Sequence, residues 1–180
     1  MPSNSGACAR AASDYLFTER AGKVTATLNI LSADLQTGTI VITRNNPTPV
    51  FIARNDRVEC ISSESVSIGT SRNIRPSITE FPLENGITII MYTDGIRDAG
   101  DRTGQSLDIC TLIEAILEDQ DPSAQELADT ILSQAIRLDN NLPNDDMSVV
   151  VLRTQPAEVD QIRRMSVRLP VPPIQVPPMS

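Results

Sequence analysis

Ile89-Ile90-Met91-Tyr92-Thr93-Asp94-Gly95 carries an apolar run into an Asp-Gly turn, and Asn144-Asp145-Asp146-Met147-Ser148-Val149-Val150-Val151-Leu152 opens a Val-rich run with paired aspartates. Both stretches read as carboxylates held at strand ends. Alone, each is an ordinary turn, because Gly accepts positive φ and Asp bonds its own backbone. Together they suggest oxygen ligands for a hard cation such as Mg²⁺ or Mn²⁺, and metal-assisted hydrolysis of a phosphate ester.

Upstream of Asp94, residues 77–83 and 87–93 read as strands on either side of Glu84-Asn85-Gly86. Residues 24–33 alternate and are rich in Thr, Leu and Ile; residues 34–38 turn and residues 39–43 return, which predicts a hairpin. Asn45-Asn46-Pro47-Thr48-Pro49 interrupts the sheet, and residues 50–53 and 57–61 predict a second hairpin about Asn55-Asp56. Residues 62–76 are polar and loop-like, with a close turn at Ile68-Gly69. Residues 7–21 predict a helix with Ala11, Tyr15 and Leu16 on one face, ended by Ala21-Gly22. Downstream, Leu107, Cys110, Ile113 and Leu117 form a helical stripe that Ser106 can cap. Asp121-Pro122-Ser123 opens another helix through Leu138, with Pro122 in its first turn and Leu127, Ile131, Leu132, Ala135 and Ile136 inward. Residues 147–153 make the last strand. From residue 155 onward Pro156, Pro170, Pro172, Pro173, Pro177 and Pro178 predict an extended or disordered tail.

At 180 residues the chain suits one domain with a real core. It contains no His, which excludes a Ser-His-Asp triad, a His general base and a His-rich zinc site. A net charge of -8 argues against a nucleic-acid partner, and the basic cluster Arg163-Arg164 with Arg168 lies in the tail. Cys8, Cys60 and Cys110 are widely spaced without a Cys-x-x-Cys pattern, so reduced, mostly buried thiols are expected. No apolar stretch spans a bilayer and no signal-peptide core is visible, which predicts a cytoplasmic protein without a membrane partner. Arg44, Arg72 and Arg75 are expected on the solvated surface, with neutralisation of a substrate phosphate as the alternative role.

The order of these elements and both acidic turns resemble the metal-dependent PPM protein phosphatases, the protein phosphatase 2C superfamily, and most closely the sporulation stage II protein E branch. The resemblance covers residues 24–153. Tyr92-Thr93-Asp94-Gly95-Ile96-Arg97-Asp98-Ala99 is similar to the family's Tyr-Thr-Asp-Gly-(Ile/Val)-x-(Glu/Asp)-Ala motif, and Asn144-Asp145-Asp146-Met147-Ser148-Val149-Val150 to its closing Asp-Asp-x-(Thr/Ser) strand. Thr25-Ala26-Thr27-Leu28 through Gly38 looks like its paired strands, and Ile68-Gly69 like its short Leu-Gly turn. Asn45-Asn46-Pro47-Thr48-Pro49-Val50 stands where the branch carries Gly-His-Pro-Pro, so Asn46 replaces the His.

The resemblance implies an α+β fold, a sandwich of two antiparallel sheets flanked by helices in α-β-β-α layers. It implies two Mn²⁺ or Mg²⁺ ions and a bridging water that attacks phosphoserine or phosphothreonine. Carried over by motif, Asp94 and Asp145 would be metal ligands, with Gly95 and Asp146 supporting them and Asp146 holding the loop by hydrogen bonds. The implied partner is a phosphoprotein, such as an anti-sigma-factor antagonist. The family's early Asp-Gly or Asp-x-Ser-Gly segment has no counterpart here, since Asp14 lies in a predicted helix and Asp34 in a hairpin turn. The expectation is therefore an N-terminally incomplete phosphatase-like domain over residues 1–154 and a Pro-rich tail over 155–180. Two functions follow: a serine/threonine phosphatase, or a catalytically inactive phosphatase-like binding module in a bacterial partner-switching pathway. An unpaired sheet edge would favour a homodimer.

Overall fold

Runs of β-branched residues become strands because their branched side chains pack well on a pleated surface. The computed structural model describes residues 4–54, 57–119 and 121–156. The turn at Asn55-Asp56 and the tail beyond residue 156 lie outside the described residues. Strands β1 (Leu28–Asp34), β2 (Thr39–Asn45) and β5 (Ser77–Pro82) pair antiparallel in the order β1-β2-β5. Strands β3 (Val50–Arg54), β4 (Arg57–Ile61), β6 (Thr88–Tyr92) and β7 (Val149–Arg153) form a second antiparallel sheet, ordered β4-β3-β6-β7.

Alternation along the strands builds two cores. Ile40 and Ile42 of β2 meet Val50, Ile52, Ile89 and Met91 of the second sheet, which fills the space between the sheets. On the opposite face, Phe51, Ile90 and Tyr92 pack with Ile113 of α3 (Ile109–Asp119) and Leu127, Ile131 and Ala135 of α4 (Ala124–Leu138). Helix α1 (Ser5–Arg20) lies against β1 and β2. The result is the expected sandwich with helices on both outer faces.

Helix α1 ends as predicted, with Ala21 left-handed at φ 50°, but its buried face is Ser5, Gly6, Ala9 and Ser13, while Tyr15 is 70% exposed. Small residues let this helix lie close to the sheet: a Cβ at Gly6 would stand 2.8 Å from Ile78 Cδ1. Residues 24–27 do not extend β1; there only Ala26 bridges to Ile68. Asp108 replaces Ser106 at the start of α3, accepting from Thr111 N at 3.1 Å. Pro122 precedes the α4 cap instead of entering its first turn, and Ser123 caps the helix. The cysteines are not mostly buried: Cys8 is exposed, Cys60 is exposed because β4 is the outermost strand of its sheet, and Cys110 is half-buried. Among the described residues, no helix is long and apolar enough to cross a membrane.

Candidate functional site

Strand β6 is buried along its whole length, which is why it reads as continuous apolar sequence. It stops at Tyr92 because Thr93 is extended (φ -83°, ψ 165°) and Asp94 opens the short helix α2 (Asp94–Arg97). Asp94 therefore sits at a strand-to-helix bend, and not in a simple turn.

Thr93 fastens this bend to the second acidic stretch. Its N–H donates to Ser148 O at 3.0 Å. Its hydroxyl donates to Asp146 O at 2.8 Å and accepts from Ser148 N at 2.9 Å. Gly95 completes the contact: a Cβ there would lie 2.7 Å from Asp146 O and 3.3 Å from Asp145 C. The structure thus brings Asp94 and the Asp145-Asp146 turn together, with Asp94 half-buried and both partners exposed. Asp146 holds the turn through its main chain, since its amide donates to Asp145 Oδ1 at 2.8 Å and its carbonyl accepts from Thr93.

A cation of α2 lies three residues beyond Asp94. Arg97 is clamped by Asp98, Nε to Oδ1 at 2.5 Å and Nη2 to Oδ2 at 2.8 Å. That pairing holds the Asp98 carboxyl below its ordinary range and raises Arg97, and Arg97 also feels the charge of Asp94. Burial pushes the Tyr92 phenol well above its usual value, so it stays neutral.

Asp139 escaped the sequence reading. It is buried at the end of α4, where its Oδ1 accepts from Gly100 N at 2.8 Å and its Oδ2 from Asn144 N at 3.3 Å. It therefore anchors both the segment after α2 and the approach to Asp145. The available signal was a carboxylate at a helix C-terminus, a position the helix dipole disfavours.

Arg44 is not a surface residue. It is 1% exposed, pointing between the sheets, and it donates to Ser63 O at 3.2 Å, Asn46 O at 3.1 Å and Thr48 O at 3.3 Å. Burial lowers its pKa. Asn46 is buried too, and its Oδ1 accepts from Thr48 N at 2.8 Å, so it shapes the corner into β3. Because Phe51 pairs with Ile90, that corner and Asp94 lie at the same end of the second sheet. Arg72 and Arg75 are exposed as expected, with Arg72 over the Phe17 ring at 6.0 Å.

Among the described residues, no three His, Cys, Asp or Glu side chains are grouped to hold a metal. Two carboxylates and several waters suit one Mg²⁺ or Mn²⁺. A bridged pair needs a further bridging carboxylate, and the described residues do not supply it.

The Stage II sporulation protein E (SpoIIE) family model matches residues 4–155. The chain belongs to the SpoIIE family. It is 30% identical over 132 residues to Stage II sporulation protein E of Bacillus subtilis (strain 168), an alignment covering 73% of this chain and 16% of the relative. The Priestia megaterium protein is 28% identical over 133 residues, covering 74% and 22% respectively. The aligned part is thus less than a quarter of either SpoIIE relative. A solved structure, the phosphatase domain of the cell fate determinant SpoIIE from Bacillus subtilis in a Mn-presoaked form, matches with a TM-score of 0.58 and 24% identity. That match covers 74% of this chain and 58% of the other, and it shows that the sandwich is the SpoIIE phosphatase-domain fold.

Proposed function

We propose that this SpoIIE-family chain serves metal-dependent hydrolysis of phosphoserine or phosphothreonine on a regulatory phosphoprotein. The observation that carries the reading is the Thr93–Gly95 fastening, which holds Asp94 against the Asp145-Asp146 turn. Asp94 and Asp145 would hold a Mn²⁺ or Mg²⁺ ion, which supplies Lewis-acid polarisation of a phosphoryl oxygen and a water. The Mn-presoaked form of the solved SpoIIE phosphatase-domain structure supports a divalent ion. This chain's own residues hold the two acidic segments together: Thr93 and Gly95 set the approach of their main chains, and Asp139 fixes Asn144. The donor set is that of one ion, so the remaining ligands of a two-ion centre come from outside the described residues.

The partner proposed is a small phosphoprotein such as an anti-sigma-factor antagonist, met in the cytoplasm; family membership and the net charge of -8 support a protein in preference to a nucleic acid. Purified chain assayed on a phosphoserine peptide should show turnover that requires Mn²⁺ and drops by about 10³-fold or more in Asp94→Asn, the scale of a lost electrostatic catalytic element. A folded wild type with no more activity than the mutant would overturn the reading.

A further inference from the structure

We propose that Cys60 and Cys110 form a redox clasp, a reversible disulfide that ties the edge strand β4 to helix α3. The inference does not depend on the phosphatase reading. Cys60 lies directly opposite Phe51, so both side chains leave the sheet on the face that the helices cover. Phe51 stacks on Tyr92 with ring centroids 6.1 Å apart. Cys110, from α3, packs against the cluster that contains Phe51, Tyr92 and Ile113. Helix α3 packs against β4, which places Cys60 and Cys110 on the two facing elements.

The clasp lies at one end of a cleft of about 840 Å³ between β4 and α3, lined by Arg57 and Val58 on one side and Glu114, Leu117 and Glu118 on the other. Cys60 is two residues beyond Val58, and Cys110 is one turn before Glu114. Joining them closes that end of the cleft.

The chemistry is thiol–disulfide exchange with a low-molecular-weight disulfide. The exposed Cys60 thiolate attacks it, forming a mixed disulfide and releasing one thiol. Cys110 then loses its proton to solvent and its Sγ displaces the second small thiol, so that two protein thiols are oxidised and one small disulfide becomes two thiols. Burial and the Glu114 carboxylate, which accepts the Cys110 S–H at 3.7 Å, push the Cys110 thiol up. Cys110 is therefore the slower, resolving partner. A pair that responds to the thiol pool fits the transient use of disulfides in reducing compartments.

The test is to incubate the folded full chain with glutathione disulfide, alkylate, and map peptides without reduction. The expected product links Cys60 to Cys110 within one chain and raises Tm by about 5 °C or more, since a cross-link restricts the unfolded chain. Cys60→Ser and Cys110→Ser should each abolish that rise, while Cys8→Ser keeps it. Glutathione adducts on separate cysteines, or links through Cys8, with Tm unchanged would overturn the proposal.

Discussion

One missing methyl group at Gly95 and one buried guanidinium at Arg44 decide how the candidate site is assembled. Gly95→Ala would drive a Cβ into the Asp146 main-chain carbonyl at 2.7 Å. Relief requires the Asp145-Asp146 turn to move, so we expect a stability loss of about 1–3 kcal/mol in urea unfolding. An unchanged midpoint would show that the turn gives way freely. Arg44→Met would leave the carbonyls of Ser63, Asn46 and Thr48 without their charged donor. Hydrogen bonds to charged groups are the stronger kind, so a loss of about 2–4 kcal/mol is expected by the same measurement. Among the described residues, Arg44 Nε, Asn29 Oδ1, Asn45 Oδ1 and Thr48 Oγ1 are buried without a hydrogen-bond partner, so this corner gathers buried polar atoms. Asp94 and Asp145 were legible from their motifs, because a carboxylate after an apolar run is a local pattern. Arg44 was not: its residue type reads as surface, and only its place on the inter-sheet face of β2, under the segments carrying Asn46, Thr48 and Ser63, encloses it.

Helix α4 shows how much a local signal can carry. Ser123 accepts from Glu126 N at 3.2 Å and donates its own N–H to Glu126 Oε2 at 2.8 Å, the reciprocal capping box. Ser123→Ala should cost about 1 kcal/mol, read as a lower unfolding midpoint at neutral pH. The Ser123 N–H holds the Glu126 carboxyl below its ordinary value of 4.5. A lowered folded pKa means that this contribution is complete above pH 4.5 and fades as pH falls through the lowered value. The gap between wild type and Glu126→Ala should therefore narrow in acid, and a gap that widens there would refute the role of the Glu126 carboxylate in the cap. The existence and order of the strands, the turns and the body of α4 could be read from alternation and caps, whereas the starts of β1 and β7 could not. The face of α1 could not, because Ser, Gly and Ala carry little hydrophobic signal, yet close approach buries them and turns Tyr15 outward.

The sandwich as a whole leaves edges open. Among the described residues no strand pairs with the outer edge of β7, and Val150 on that strand is 52% exposed because the smaller sheet does not reach over it. Such an edge invites another strand. Sedimentation should show association that grows with concentration and weakens in Val150→Lys; a monomer throughout would rule out the homodimer. Consecutive strands β5 and β6 belong to different sheets, and the crossing at Glu84-Asn85-Gly86 is sealed by Gly86 N donating to Thr154 O at 3.0 Å. The sequence by itself determined the order and kind of the main elements, the two acidic motifs and, through them, the family, since each is written in neighbouring residues. Tertiary structure alone decided which sheet each strand joins, that Arg44 is enclosed, that Asp139 links Gly100 to Asn144, and that Cys60 faces α3. Those outcomes depend on contacts between residues far apart in the chain, which no local pattern displays.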